Sequence, residues 1–88
     1  MKEFILKVHP DDNIIVALKH FDSGTVVRYE GKPFELREDV PIKHKFSAIN
    51  FKVGDPIIMY GVLIGEAILP IPEGSRISVN NVKHATQE

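Results

Sequence analysis

Phe4, Leu6 and Val8 alternate with Ile5, Lys7 and His9, a period of two that predicts a strand with one buried face. Pro10 ends it, and His9-Pro10-Asp11-Asp12-Asn13 has the proline and short polar side chains that form turns through their own backbone. Ile14-Ile15-Val16, β-branched throughout, predicts a second strand. Two more follow at 26–29 and 34–36, with Glu30-Gly31-Lys32-Pro33 between them as a hairpin loop. Pro41, Pro56, Pro70 and Pro72 then punctuate the chain so closely that no helix longer than about two turns fits between most of them. Residues 47–51 are the one place for a helical turn. Strands at 57–60 and 64–69 flank Gly61-Val62-Leu63 as a hairpin, and 76–82 reads as a final strand with Ile77 and Val79 on one face. The pattern predicts one all-β domain over 1–88 made of short strands with at most one or two helical turns, and a frayed tail at 83–88.

One regularity stands out. Phe21-Asp22-Ser23-Gly24, Phe51-Lys52-Val53-Gly54 and Ile71-Pro72-Glu73-Gly74 each place an apolar residue three before a glycine, with a strand following. The glycine is expected to supply a positive φ where the chain turns into that strand. Unequal spacing excludes a solenoid, so the device is one turn used three times in a single irregular domain.

Composition narrows the function classes. A chain of 88 residues holds one compact unit of modest stability, for which pairing with a partner is a natural gain. The absence of cysteine removes disulfides, thiolate metal sites and cysteine nucleophiles, and fits the cytoplasm. Acidic and basic residues nearly cancel, 12 against 11, so no large positive field is available for nucleic acid or an anionic membrane. The longest apolar stretch, 57–69, is interrupted by Tyr60, Gly61, Gly65 and Glu66 and falls short of a membrane helix; a soluble chain is expected.

The polar residues that could carry chemistry gather at strand ends: His9, Asp11, Asp12 and Asn13 after the first strand, and Lys43, His44 and Lys45 after Pro41. His9, His20, His44 and His84 lie far apart and have no ligand-pair spacing, so the metal signal is weak, and no strand-turn-helix elbow presents a serine. Taken by residue type alone, Asp and Asn after a proline are turn formers.

In order along the chain, His9-Pro10-Asp11-Asp12-Asn13-Ile14-Ile15-Val16-Ala17-Leu18, Val40-Pro41-Ile42-Lys43-His44-Lys45-Phe46 and Gly54-Asp55-Pro56-Ile57-Ile58-Met59-Tyr60-Gly61-Val62-Leu63-Ile64-Gly65-Glu66-Ala67 resemble successive motifs of the SAF domain of the altronate/galactarate dehydratases. That family's pattern runs H-P-x-D-N-V-A-V-A-L, I-P-x-G-H-K-x-A and G-x-x-V-x-K-Y-G-x-P-I-G-x-A, and closes on H-x-H-N-V. The resemblance implies a small β-clip fold and a place beside a larger dehydratase-like catalytic chain that eliminates water from sugar acids with a divalent metal, iron or manganese. A related two-chain lyase releases sulfite from sulfolactate and has a small subunit of similar size. On this resemblance the chain is the small subunit or detached N-terminal domain of such a lyase, active only with its partner. His44 and Lys45 are the expected ligands of the substrate carboxylate, and Asn13, Asn80 and Asn81 are expected to add hydrogen bonds. There are three departures from the pattern: Lys43 replaces the glycine before His-Lys, Leu63 replaces a proline, and Ser78 and Asn80 occupy the closing His-x-His. The alternative is a non-catalytic SAF-type module for carbohydrate binding or assembly.

Overall fold

The computed structural model describes residues 4–84. Within them are nine strands and no helix: β1 (Ile5–Leu6), β2 (Ile14–Ala17), β3 (Val26–Tyr29), β4 (Lys32–Glu35), β5 (Lys45–Ser47), β6 (Pro56–Met59), β7 (Val62–Ala67), β8 (Arg76–Ile77) and β9 (Val82–His84). The all-β expectation is correct. All pairing is antiparallel, in a four-stranded sheet ordered β1-β2-β5-β8, the two-stranded hairpin β3-β4 and a three-stranded sheet ordered β6-β7-β9.

Several boundaries move, each for a physical reason. Residues 47–51 hold no helical turn. Ser47 ends β5, its Oγ donates to Pro72 O at 2.7 Å, and Phe51 exchanges both backbone hydrogen bonds with Ile71. Both hairpin loops are two residues long, Glu30-Gly31 and Tyr60-Gly61. All four residues have positive φ (50°, 82°, 58° and 73°), the backbone of a type I′ turn whose twist matches the flanking strands. Pro33 therefore lies inside β4 rather than in the loop. The expected strand at 76–82 is divided: Asn81 Oδ1 accepts from Ser78 N and its Nδ2 donates to Arg76 O, closing a turn between β8 and β9. Lys83 and His84, expected in the tail, pair with Glu66 and Gly65 of β7, while 85–88 lie outside the described residues.

The recurring turn occurs four times, not three. Gly24, Gly54 and Gly74 have φ of 89°, 92° and 90°, and the fourth instance is Val40-Pro41-Ile42-Lys43, where Lys43 takes φ 71°. In each, the residue after the positive-φ position donates back to the residue two before it: Thr25 to Asp22, His44 to Pro41, Asp55 to Lys52 and Ser75 to Pro72. The leading apolar residues meet in two pairs, Phe21 with Val40 and Phe51 with Ile71. The backbone of β2 through 43 is thus repeated by β5 through 74, one hairpin in each half, with β2 and β5 paired at the centre.

Each half has its own small core. Ile15, Ala17, Phe21, Val27, Phe34, Leu36, Val40 and Phe46 fill the first; Ile14, Phe51, Ile57, Met59, Ala67 and Ile71 fill the second. Ile14 and Ile15 are adjacent in β2 and face opposite cores, as the strand period requires. No described helix is long and apolar enough to cross a membrane.

Candidate functional site

The first motif closes on the third. Asp12 is buried, and its carboxylate accepts from His9 N (3.0 Å), Tyr60 N (3.1 Å) and Gly61 N (2.8 Å), so it holds the tip of the β6-β7 hairpin to the 9–13 turn. Burial by itself pushes the Asp12 carboxyl up, but the N–H groups of Gly61, Tyr60 and His9, with the nearby His9 ring, outweigh it and leave the carboxyl below its ordinary value. The His9 imidazole lies on the Gly61 backbone, where any side chain would meet the ring at 2.9 Å. Its Nδ1 accepts from Asp11 N at 3.1 Å, which places the ring proton of the neutral form on Nε2.

Asn13 continues this clasp rather than opening to solvent. Its Nδ2 donates to Pro56 O and its Oδ1 accepts from Ile58 N, both at 2.9 Å, next to the bulge where the β6-β7 register shifts. Both polar atoms of Asn81 are likewise spent on backbone. Asn80 is exposed on the same turn, with its backbone N–H donating to Ser78 Oγ.

Lys45 is the expected residue that the fold directs into a cleft. Cross-strand pairing puts Leu6, Val16, Lys45 and Ile77 in one row across the four-stranded sheet, on the face that bears the second core. Opposite stands the β6-β7-β9 sheet, and between the two is a cleft of about 440 Å³ lined by Ile14, Met59, Ile64, Ile77 and Val82, with Lys45, Tyr60, Ser78, Val79 and His84 among its other walls. No acidic residue lines it, and the ammonium of the partly buried Lys45 has no polar partner among the described residues. His44 is exposed and not part of this lining; its backbone closes the fourth turn. The five expected residues thus divide: Lys45 in the apolar cleft, His44 and Asn80 on the surface, Asn13 and Asn81 in backbone contacts.

A second cleft, about 710 Å³ and of mixed lining that includes Val26, Pro33 and Leu36, was not anticipated from the sequence. Ser23, Glu35, Arg37, Asn50 and Glu73 line it beside the β3-β4 hairpin. Arg37 Nε donates to Glu73 O at 3.0 Å, Asn50 Oδ1 accepts from Glu73 N at 2.8 Å, and the Glu73 carboxylate pairs with Lys32 at 2.7 Å. The usable signal was Arg37 directly after the strand expected at 34–36, a strand end like the one that singled out His9. Among the described residues no three His, Asp or Glu side chains converge on one point.

Comparison with known proteins agrees with the motif order. The model of the altronate/galactarate dehydratase SAF domain matches residues 3–85. Altronate dehydratase of Bacillus subtilis (strain 168) is 36% identical over 83 residues, covering 94% of this chain and 16% of that protein. Galactarate dehydratase (L-threo-forming) of Escherichia coli (strain K12) is 33% identical over 79 residues, covering 90% of this chain and 15% of that protein. The alpha subunit of (2R)-sulfolactate sulfo-lyase from Chromohalobacter salexigens is 34% identical over 50 residues, which cover 57% of this chain and 53% of that subunit. The chain therefore spans about one sixth of the length of the dehydratases it matches.

Proposed function

Because this chain belongs to the altronate/galactarate dehydratase SAF-domain family, we propose that it is the SAF component of a lyase that eliminates water from a sugar acid, or sulfite from a sulfo-hydroxy acid, beside a larger catalytic chain. The observation that carries the reading is the near-complete match to a domain that makes up only 15–16% of the dehydratases compared. Elimination beside a carboxylate needs a base for the α-proton, an acid or metal for the leaving group, and cations that hold the carboxylate as charge builds. Lys45 supplies the last. In an apolar cleft without a competing acid, its ammonium attracts a carboxylate more strongly than it would in open water. The exposed His44 adds a donor on the neighbouring surface, and Asn80 a hydrogen bond from the turn beyond β8. Asn13 and Asn81 serve by holding β6 and the β8-β9 turn in place. The divalent iron or manganese implied for the holoenzyme would be held by the larger chain.

The test is elimination from altronate, galactarate and (2R)-sulfolactate by the tagged chain purified together with its larger partner. Lys45→Ala is expected to lower kcat/KM roughly hundredfold, the loss of one charge-assisted contact, with KM carrying part of the change. Unchanged kinetics would remove Lys45 from the site. A second reading has its own observation: Tyr60 and Val79, 60% and 80% exposed, stand on the cleft rim and favour an assembly module whose apolar rim docks on the partner. In that case Lys45→Ala leaves kinetics intact and Val79→Asp abolishes co-purification.

A further inference from the structure

Outside the two hairpin tips, two described residues hold a left-handed backbone without being glycine: Phe4 at φ 58° and Lys43 at φ 71°. Residues with a side chain rarely adopt that region, and bulky ones least of all. The other three turns of the same kind use Gly24, Gly54 and Gly74, so the turn itself gives no reason for a lysine at 43. Packing gives none either, because Lys43 is exposed and its ammonium has no partner among the described residues. Backbone held in this way by the surrounding fold clusters where a surface is used.

The fold brings both residues to one place. Leu18 N donates to Phe4 O at 2.8 Å and Lys43 N to Ala17 O at 2.7 Å, so the start of β1, the end of β2 and the turn before β5 meet at one end of the four-stranded sheet. Phe4, Leu18 and Ile42 there are 52%, 43% and 55% exposed. The Lys19 ammonium stands over the rings of Phe4 (5.2 Å) and Phe21 (5.5 Å), which keep it beside these apolar side chains. The carboxylates close by in sequence are engaged elsewhere: Asp22 pairs with His20, Asp39 accepts from Ser23 N and Glu38 from Arg76 N. The surface shares no residue with either cleft.

We propose that this end of the sheet is the docking surface for an acidic segment of the larger catalytic chain, which sets carboxylates on Lys19 and Lys43 and an apolar side chain among Phe4, Leu18 and Ile42. The inference rests on the reading that a larger chain stands beside this one, and adds where the two meet. Complementary charge steers the encounter and fixes its register, while the apolar residues supply buried area. A glycine at 43 would relax the turn but carry no charge, and the lysine supplies that charge at the cost of the strained backbone. Two lysines fall short of the clusters of about four or more that hold a protein on anionic lipid, so a protein surface is the better fit.

The test is the affinity of the tagged chain for the co-expressed larger chain, measured at low and at high salt. Wild-type binding is expected to weaken with salt, and the double variant Lys19→Glu, Lys43→Glu to bind at least roughly tenfold more weakly at low salt and to lose most of the salt dependence. Ile42→Ser, at an exposed position, is expected to bind several-fold more weakly. Lys43→Gly separates docking from folding: its melting temperature should rise, because the turn gains the glycine of its three counterparts, while its affinity falls several-fold. Unchanged affinity in the double variant, or in Lys43→Gly, would overturn this inference alone. Failure of the wild-type chain to bind the larger chain would overturn the functional reading and this inference with it. Charge-dependent binding to phosphatidylserine vesicles, with the double variant still bound normally to the larger chain, would assign the surface to a membrane and overturn the inference as well.

Discussion

The two halves of the domain share one backbone frame and differ in what is laid against their hairpins. In the second half the β6-β7 tip is clasped by Asp12, and the outer edge of β7 is covered by β9. In the first half the β3-β4 hairpin has neither among the described residues. Its outer edge is closed by Pro33, which offers no N–H on the side facing away from β3, and the turn at 72–75 approaches it, with Arg37 N donating to Gly74 O. The clefts follow from this difference. Where a whole strand arrives, Val82 comes to stand with Met59 and Ile64 and the wall is apolar; where a turn arrives, the backbone of Glu73 is left for Arg37 and Asn50 to take. A repeated frame thus yields two clefts, one mainly apolar and one of mixed lining, through its accessories.

Removing the accessories in turn breaks the comparison. The largest effect is expected at Gly65, which lies where β7 and β9 approach closely: a Cβ there would stand 2.3 Å from Lys83 O, a backbone atom with little room to yield. Gly65→Ala should detach β9 and cost about 3 kcal/mol, the upper end of overpacking penalties. Chemical denaturation reads the loss, and faster hydrogen exchange at Glu66, Ile68 and Lys83, whose N–H groups lie between β7 and β9, locates it; Phe34, at the corresponding place in the first half, tolerates its side chain because no strand among the described residues lies beside it there.

Next comes the clasp. Asp12→Ala removes three charge-assisted hydrogen bonds, but Tyr60 and Gly61 are exposed and water replaces part of the loss, so about 2 kcal/mol is expected. The sign with pH follows from the depressed carboxyl: its contribution is fully present above the ordinary aspartate value of about 3.9 and is lost as pH falls through the lower value of the folded state. The difference in stability between wild type and Asp12→Ala should therefore be flat near neutrality and shrink below about pH 4. A difference that grew on acidification would contradict the clasp.

The smallest effect separates the two hairpin tips. At Gly31 an added methyl meets nothing within 4 Å, so Gly31→Ala carries only the penalty of its φ of 82°, about 1 kcal/mol. At Gly61 the same change also meets the His9 ring at 2.9 Å, and a larger loss is expected. Equal melting-temperature shifts for the two variants would mean that His9 does not hold the second tip.

Much of the fold was legible because turns and short strands are written locally. β-branched runs, prolines and the apolar-x-x-glycine segments placed most strands within a residue or two. The fourth turn escaped because its positive-φ position is occupied by Lys43, a residue type that gives no hint of left-handed backbone, and the glycine that the family pattern has there was not read as one. The division of 76–82 escaped because Asn81 reaches back to Ser78 and Arg76, a choice that an asparagine inside an apparent strand does not announce. Of the residues expected at the site, Lys45 lines a cleft, and the side chain of Asn13 is committed to β6.

By itself the sequence determined an all-β chain of short antiparallel strands, the family it belongs to and the turn that recurs through it, since each depends on residue types close together or on ordered motifs. Only the tertiary structure decided which polar residues share a cleft. Asp12 with Tyr60, Asn13 with Ile58, and Arg37 and Asn50 on Glu73 are contacts made to backbone groups far along the chain. Backbone N–H and C=O groups are alike at nearly every position, so which of them a side chain captures is settled only when the folded chain brings one within reach and leaves the others to water.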